Sequence, residues 1–155
     1  MPNSLGLYWS IRRSFAAYVA RLADGTMRLD SGVRPVSGDR LFFPFSGSTG
    51  TGSEYGFEGI VRFSGHAGML CVILKQPCLL LNDDFTRGEL KIGEKGCQRS
   101  LVTFNSRFSV KRGFTVLIGE NVELCPESVD LFGNNYTVGE RFDDFLAILS
   151  EGVSL

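Results

Sequence analysis

Few side chains in this sequence are of a type that does chemistry. The one histidine, His66, stands in Gly65-His66-Ala67-Gly68, between two apolar strand-like runs. Its flanking glycines permit unusual backbone angles and close approach of another group. By itself, a lone histidine in a turn is most simply a hydrogen-bonded surface residue. Tyr18 falls on the apolar side of an amphipathic segment. A phenol there is either a core hydroxyl with its hydrogen bond satisfied or a group aimed into a pocket, as donor or as an axial iron ligand. The acidic pairs Asp83-Asp84 and Asp143-Asp144 are adjacent in sequence, so their carboxylates diverge; they suit turn and helix-cap positions better than paired acid–base work. The serines lack a second histidine or any motif like a nucleophile elbow. Cys71, Cys78, Cys97 and Cys125 form no C-x-x-C pair, and zinc would need close-spaced ligands with histidines. Cys71 and Cys78 lie in apolar runs and read as small buried hydrophobes. All four are expected to be reduced thiols in a cytoplasmic protein.

The elements that must position these residues follow from periodicity. In Ser10 to Leu22, the residues Ile11, Phe15, Tyr18 and Leu22 recur at helical spacing, with Arg13 and Arg21 off that face. Ser10 is the expected N-cap and Asp24-Gly25 the stop. From residue 26 the texture changes to short β-prone runs, at 26–30, 40–45, 54–64, 69–75, 78–82, 88–93, 100–109 and 114–119. Many short strands between turn signals imply an antiparallel β-sandwich or barrel. The stretch 46–53, rich in Gly, Ser and Thr, reads as a long hairpin connection or a mobile lid. Tyr55, Phe57, Val61 and Phe63 share one strand parity, and Glu58, Ile60 and Arg62 the other. Residues 69–74 are apolar on both parities, which implies cover on both faces. Phe142, Phe145, Leu146 and Leu149 are spaced as a short C-terminal helix. The fold class is therefore all-β, with an N-terminal amphipathic helix and a short C-terminal helix.

Composition bounds the rest. A chain of 155 residues is expected to be one domain, residues 1–155, and buries roughly two-thirds of its unfolded surface. It carries 16 basic and 17 acidic residues, net −1, which excludes a strongly basic nucleic-acid footprint. With 43% apolar residues and 13 Phe, a packed core is readily supplied. The N-terminus has no basic segment followed by an apolar one, so no secretory signal is expected. No apolar run approaches the ~20 residues of a membrane helix.

Three stretches resemble the HtaA domain, a haem-binding module of actinobacterial iron uptake. They are Tyr8-Trp9-Ser10-Ile11-Arg12-Arg13-Ser14-Phe15-Ala16-Ala17-Tyr18, Gly59 to Leu70 around His66, and Leu131-Phe132-Gly133-Asn134-Asn135-Tyr136-Thr137-Val138-Gly139-Glu140-Arg141-Phe142-Asp143. The resemblance implies a β fold whose N-terminal helix places Tyr18 over the His66 corner. It also implies that Tyr18 ligates haem iron and that His66 supports it by hydrogen bonding. The chain departs from the family in its four cysteines, in Met69 and Cys71 after the corner, and in Asp144 where Pro is common, and it is expected to lack the family's signal and anchor. In size and character it also resembles small stand-alone cyclases of actinomycete polyketide pathways, of the streptoseomycin and nargenicin type.

Two readings from different classes follow, and a third stands beside them. The favoured one is a cofactor-independent cyclase that folds a macrocyclic polyene in an apolar pocket for transannular [4+2] or [6+4] cycloaddition, which needs shape and a few hydrogen bonds rather than a nucleophile or metal. Tyr18 and His66 would be its polar anchors, and Trp9, Tyr55, Phe57, Phe63 and Met69 its walls. The alternative is a haem-binding module with Tyr18 as iron ligand and His66 as its partner. The third is a non-catalytic carrier of a lipophile. The partners expected are an apolar small molecule and a second copy of the chain, with no nucleic acid and no membrane.

Overall fold

The first strand, β1 (Gly6–Trp9), lies between two others and closes a barrel. In the computed structural model, which describes residues 4–49, 52–94, 96–133 and 135–151, β1 is followed by helix α1 (Arg13–Arg21). Then come β2 (Thr26–Asp30), β3 (Arg34–Val36), β4 (Arg40–Ser48), β5 (Glu54–Phe57) and β6 (Ile60–Gly65). A 3-10 turn at His66–Gly68 leads to β7 (Leu70–Lys75), β8 (Cys78–Leu81), β9 (Arg87–Ile92), β10 (Arg99–Lys111) and β11 (Phe114–Leu124). A second 3-10 turn, Pro126–Phe132, precedes β12 (Phe145–Glu151). The order β1-β12-β11-β10-β9-β8-β5-β4 returns to β1 through a β1–β4 ladder, so eight antiparallel strands form a closed barrel, with β3 added on β4. Closure leaves these eight strands without a free edge. Strands β2, β6 and β7 make a separate three-stranded sheet.

Alternation decides what each strand buries. Leu7 and Trp9 point into the main core with Phe43, Phe57, Phe104 and Phe145, and Trp9 meets Phe145 edge-on at 6.2 Å. From the small sheet, Val61, Phe63, Val72 and Leu74 join the same core. On the outside of the closing seam Tyr8, Phe42, Val116 and Ile148 form a second cluster, where the Arg34 guanidinium lies 4.4 Å from the centre of the Phe42 ring.

The all-β barrel and the N-terminal helix are as the sequence implies; four local expectations are corrected. Residues 145–151 form strand β12, not a helix, because neighbours cover both faces: Phe145, Ala147 and Leu149 face the main core and Ile148 the outer cluster. The helical element near the C-terminus is the earlier 3-10 turn at Pro126–Phe132. The run 54–64 is two strands in different sheets, broken at Gly59, whose φ of +131° lies where L side chains are rarely found and where a Cβ would collide with Val33. The run 69–74 is covered on one face only: Leu70, Val72 and Leu74 are buried while Cys71 and Ile73 face outward. Finally, α1 starts at Arg13 with Arg12 at the N-cap, and Ser10 is buried ahead of it. The 46–53 segment is the β4–β5 hairpin connection, of which residues 50 and 51 lie outside the described ones, as does Asn134 of the 133–135 turn. Among the described residues no helix is long and apolar enough to cross a membrane.

Candidate functional site

Helix α1 is too short to be stable alone, and tertiary contacts hold it. Phe15 and Val19, four residues apart, are its buried residues. The Phe15 ring meets Phe63, Phe132 and Tyr136 edge-on at 5.0, 5.3 and 6.3 Å. The start of the helix is capped from across the chain. The Arg13 N–H donates to Asp143 Oδ2 at 2.9 Å, supplying a carboxylate where unpaired N–H groups and the helix dipole favour one. The Trp9 indole donates to the Asp143 carbonyl at 2.7 Å, and the Asp143 N–H donates to the Ile11 carbonyl at 3.0 Å. Arg12 donates to Glu140 at 3.3 Å and to the Arg141 carbonyl, with its guanidinium 4.5 Å from the Tyr136 ring centre. Burial pushes the Tyr136 phenol up, with Arg12 opposing. The first and last sequence motifs thus act together to fix where α1 lies. The helix-cap role read for Asp143 holds, across the fold rather than locally; Asp84 holds its turn by accepting from Thr86.

With α1 so placed, Tyr18 Oη lies 2.5 Å from His66 Nε2. Tyr18 is not a core residue: one position before Val19 and rotated about 100° from it, it stays 42% exposed. His66 is exposed as well. The two side chains share one hydrogen bond, whose direction follows the imidazole tautomer, and the contact orients the phenol oxygen.

The corner that carries His66 is strained. His66, Ala67 and Gly68 have φ of +50°, +55° and +89°, and the left-handed region costs a non-glycine residue roughly 1–2 kcal/mol. Asp24, just past the end of α1, offsets this. Its Oδ1 accepts the His66 N–H at 3.1 Å and its Oδ2 accepts the Ala67 N–H at 2.7 Å, and these bonds hold its carboxyl below the usual value. Gly65 is extended at φ 174°, and its need for glycine is spatial: a Cβ there would sit 2.7 Å from Leu22 Cδ1. In the sequence, Asp24 reads only as part of a helix stop. Its partners are 42 and 43 residues away, so no local pattern marks it.

The other expected site residues do not gather at this pair. Trp9 and Phe57 are buried in the main core, and Tyr55 is half-buried against it. Met69 is 90% exposed beyond the corner. Phe63 is buried, yet its edge helps line a cavity of about 660 Å³ with Ala16, Val19, Met27, Arg40 and Leu41. That cavity is on the other flank of α1, and neither Tyr18 nor His66 lines it. Among the described residues no group of three or more His, Cys, Asp or Glu gathers as a metal site, and all four cysteines are free.

The model of the HtaA family matches residues 4–147. The chain belongs to the HtaA family. The crystal structure of the C-terminal domain of HtaA from Corynebacterium glutamicum is similar in fold, with a TM-score of 0.71 at 22% identity, covering 95% of this chain and 100% of that one. A domain-swapped dimer of a histidine-to-alanine variant of the same domain is similar with a TM-score of 0.62 at 22% identity, covering 89% and 92%. No curated protein sequence matches.

Proposed function

We propose that this chain binds haem, with the Tyr18 phenolate as the protein ligand to iron and His66 as its hydrogen-bond partner. The observation that carries the reading is the 2.5 Å contact between Tyr18 Oη and His66 Nε2 on an exposed face, in a chain of the HtaA family. The donor set suits the group: a phenolate oxygen is a known ligand type for haem iron, and a hydrogen-bonding neighbour fixes the orientation of such a ligand. Haem, when bound, would supply an iron centre for that oxygen to ligate. Tyr18 would contribute the oxygen, His66 would hydrogen-bond to it and orient the ring, and α1 with the corner sets their spacing. The family membership supports this reading over the cofactor-independent cyclase, whose expected walls are dispersed between the core and the surface.

The test is a visible spectrum of the purified protein before and after hemin is added. The expected result is a Soret band that Tyr18→Phe weakens strongly and shifts, with His66→Ala retaining hemin more loosely. A Tyr18→Phe spectrum and affinity equal to wild type would overturn the reading. Light scattering on wild type and His66→Ala tests the homo-oligomer expectation, which the dimeric variant of the Corynebacterium domain supports.

The 660 Å³ cavity favours a second reading, binding of an apolar small molecule on the opposite flank of α1. Its volume is within the usual range for ligand sites. Ala17→Trp would place an indole in it and obstruct a ligand there. An apolar fluorescent dye that binds wild type and not Ala17→Trp supports the reading; equal binding by both defeats it.

A further inference from the structure

We infer that Asp24 is the positioning residue of the Tyr18–His66 pair, holding the corner that carries His66 to the end of the helix that carries Tyr18. The inference rests on the haem reading for its functional consequence and on the geometry alone for its structural one. Helix α1 ends at Arg21; the Leu22 N–H bonds back to the Val19 carbonyl and the Gly25 N–H to the Leu22 carbonyl at 3.1 Å. Asp24 is therefore held in a tight turn that moves with the helix. From that turn its carboxylate accepts two successive N–H groups, one oxygen for each, from His66 and Ala67. Leu22 presses on Gly65 just before them, so the turn grips the corner by packing as well.

Those two residues are the non-glycine members of a left-handed run that the backbone does not favour by itself. Two N–H groups in this conformation converge on an anion, and Asp24 is that anion. The carboxylate acts on the main chain of His66, so its effect on the phenol passes through the position of the ring. The link runs through residues 22–25 on one side and 65–67 on the other, separately from the Phe15 packing and the Asp143 cap. A second clamp of this kind has a clear use. The Tyr18–His66 bond is solvent-exposed, where water competes for both partners and only pre-organisation keeps them together.

The experiment is a double-mutant cycle on hemin release. Protein loaded with hemin is mixed with excess apomyoglobin, and the transfer rate is read for wild type, Asp24→Ala, His66→Ala and the double variant. Asp24→Ala is expected to release hemin about tenfold faster, in the range that loss of an outer partner of a metal ligand gives. Asp24→Asn, which keeps one acceptor oxygen, should fall between. The double variant should release hemin no faster than His66→Ala alone, because Asp24 acts through His66. Rates within about twofold of wild type for Asp24→Ala, or effects that multiply in the double variant, overturn the inference. Amide exchange of His66 and Ala67 in the haem-free protein is the second readout: it should accelerate in Asp24→Ala and partly recover in Asp24→Asn. Wild type that takes up no hemin overturns the haem reading instead. The exchange measurement then decides the role of Asp24, and equal exchange in wild type and Asp24→Ala refutes it.

Discussion

Replacing Phe15 by Ala tests the claim that α1, and with it Tyr18, is placed by one buried ring. Phe15 is 4% exposed and meets three aromatic rings edge-on, those of Phe63, Phe132 and Tyr136. A buried Phe→Ala change costs about 3–5 kcal/mol. Each edge-on pair adds about 0.5–1.5 kcal/mol beyond the area buried, which argues for the upper part of that range. Against this, α1 lies on the outside of the barrel, where a nine-residue helix can settle toward the gap and recover part of the loss. We therefore expect a loss of about 4 kcal/mol, or about 8–16 °C in Tm for a chain of this length. Urea unfolding followed by far-UV circular dichroism measures the loss. Trp9, buried in the barrel beside the helix cap, reports the same transition by fluorescence. Phe15→Leu keeps most of the volume but loses the three edge-on pairs, so it should lose about 2 kcal/mol, roughly half the cost of Phe15→Ala. Hemin affinity should fall with Phe15→Ala because Tyr18 loses its fixed distance to His66. A loss below about 1 kcal/mol with hemin affinity unchanged would refute the reasoning, since α1 would then be held by something other than this ring.

Three further outcomes are expected. Trp9→Phe should destabilise the protein by about 2 kcal/mol, because it leaves the Asp143 carbonyl without its indole donor, and urea midpoints measure this. Of the four thiols, exposed Cys71 and Cys97 should react with a maleimide at pH 8, while buried Cys78 and Cys125 should react only in denaturant; burial pushes the Cys125 thiol up to about 11 and raises Cys78 in the same direction, which disfavours the thiolate. Four equally reactive thiols in the native protein would count against the packing described. Asp24 has a folded pKa below its ordinary 3.8, so the stability it contributes is present above about that pH and is lost as pH falls through the lowered value. The stability gap between wild type and Asp24→Asn should be level from pH 7 to 5 and close below pH 4; a gap that widens on acidification contradicts the assignment.

Where the sequence was legible, the reason was local. Strands β2, β7 and β8 lie within a residue of the runs read from alternation, and the parity of Phe57, Val61 and Phe63 gives their buried face even though a sheet change separates them. The failures come from partners that no window contains. Phe142, Phe145, Leu146 and Leu149 are spaced as a helix face, yet β1 and β11 pair with the two edges of residues 145–148 and make them a strand, its faces covered by the main core and the outer cluster. The 69–74 run has the same apolar density, but its outward residues, Cys71 and Ile73, are exposed. Tyr18 and His66 could be paired only through the resemblance; in the fold their side chains lie 2.5 Å apart. Asp24 and Asp143 were visible as punctuation, but their bonding partners lie far along the chain.

The β1 seam has a kinetic side. Leu7 faces both Phe43 and Ala147, so the barrel closes only when segments from near opposite ends of the sequence meet. Contacts so distant in sequence form slowly, because the entropy of the long loop is lost before the ladder compensates for it. Helix α1 follows that strand by three residues and its cap, Asp143, comes two residues before β12, so the last closure event also assembles the Tyr18 face. A chain still emerging during synthesis therefore lacks the face until β12 arrives. A ligand held there would act as a latch on the whole barrel, raising the barrier to opening the seam rather than merely steadying one helix.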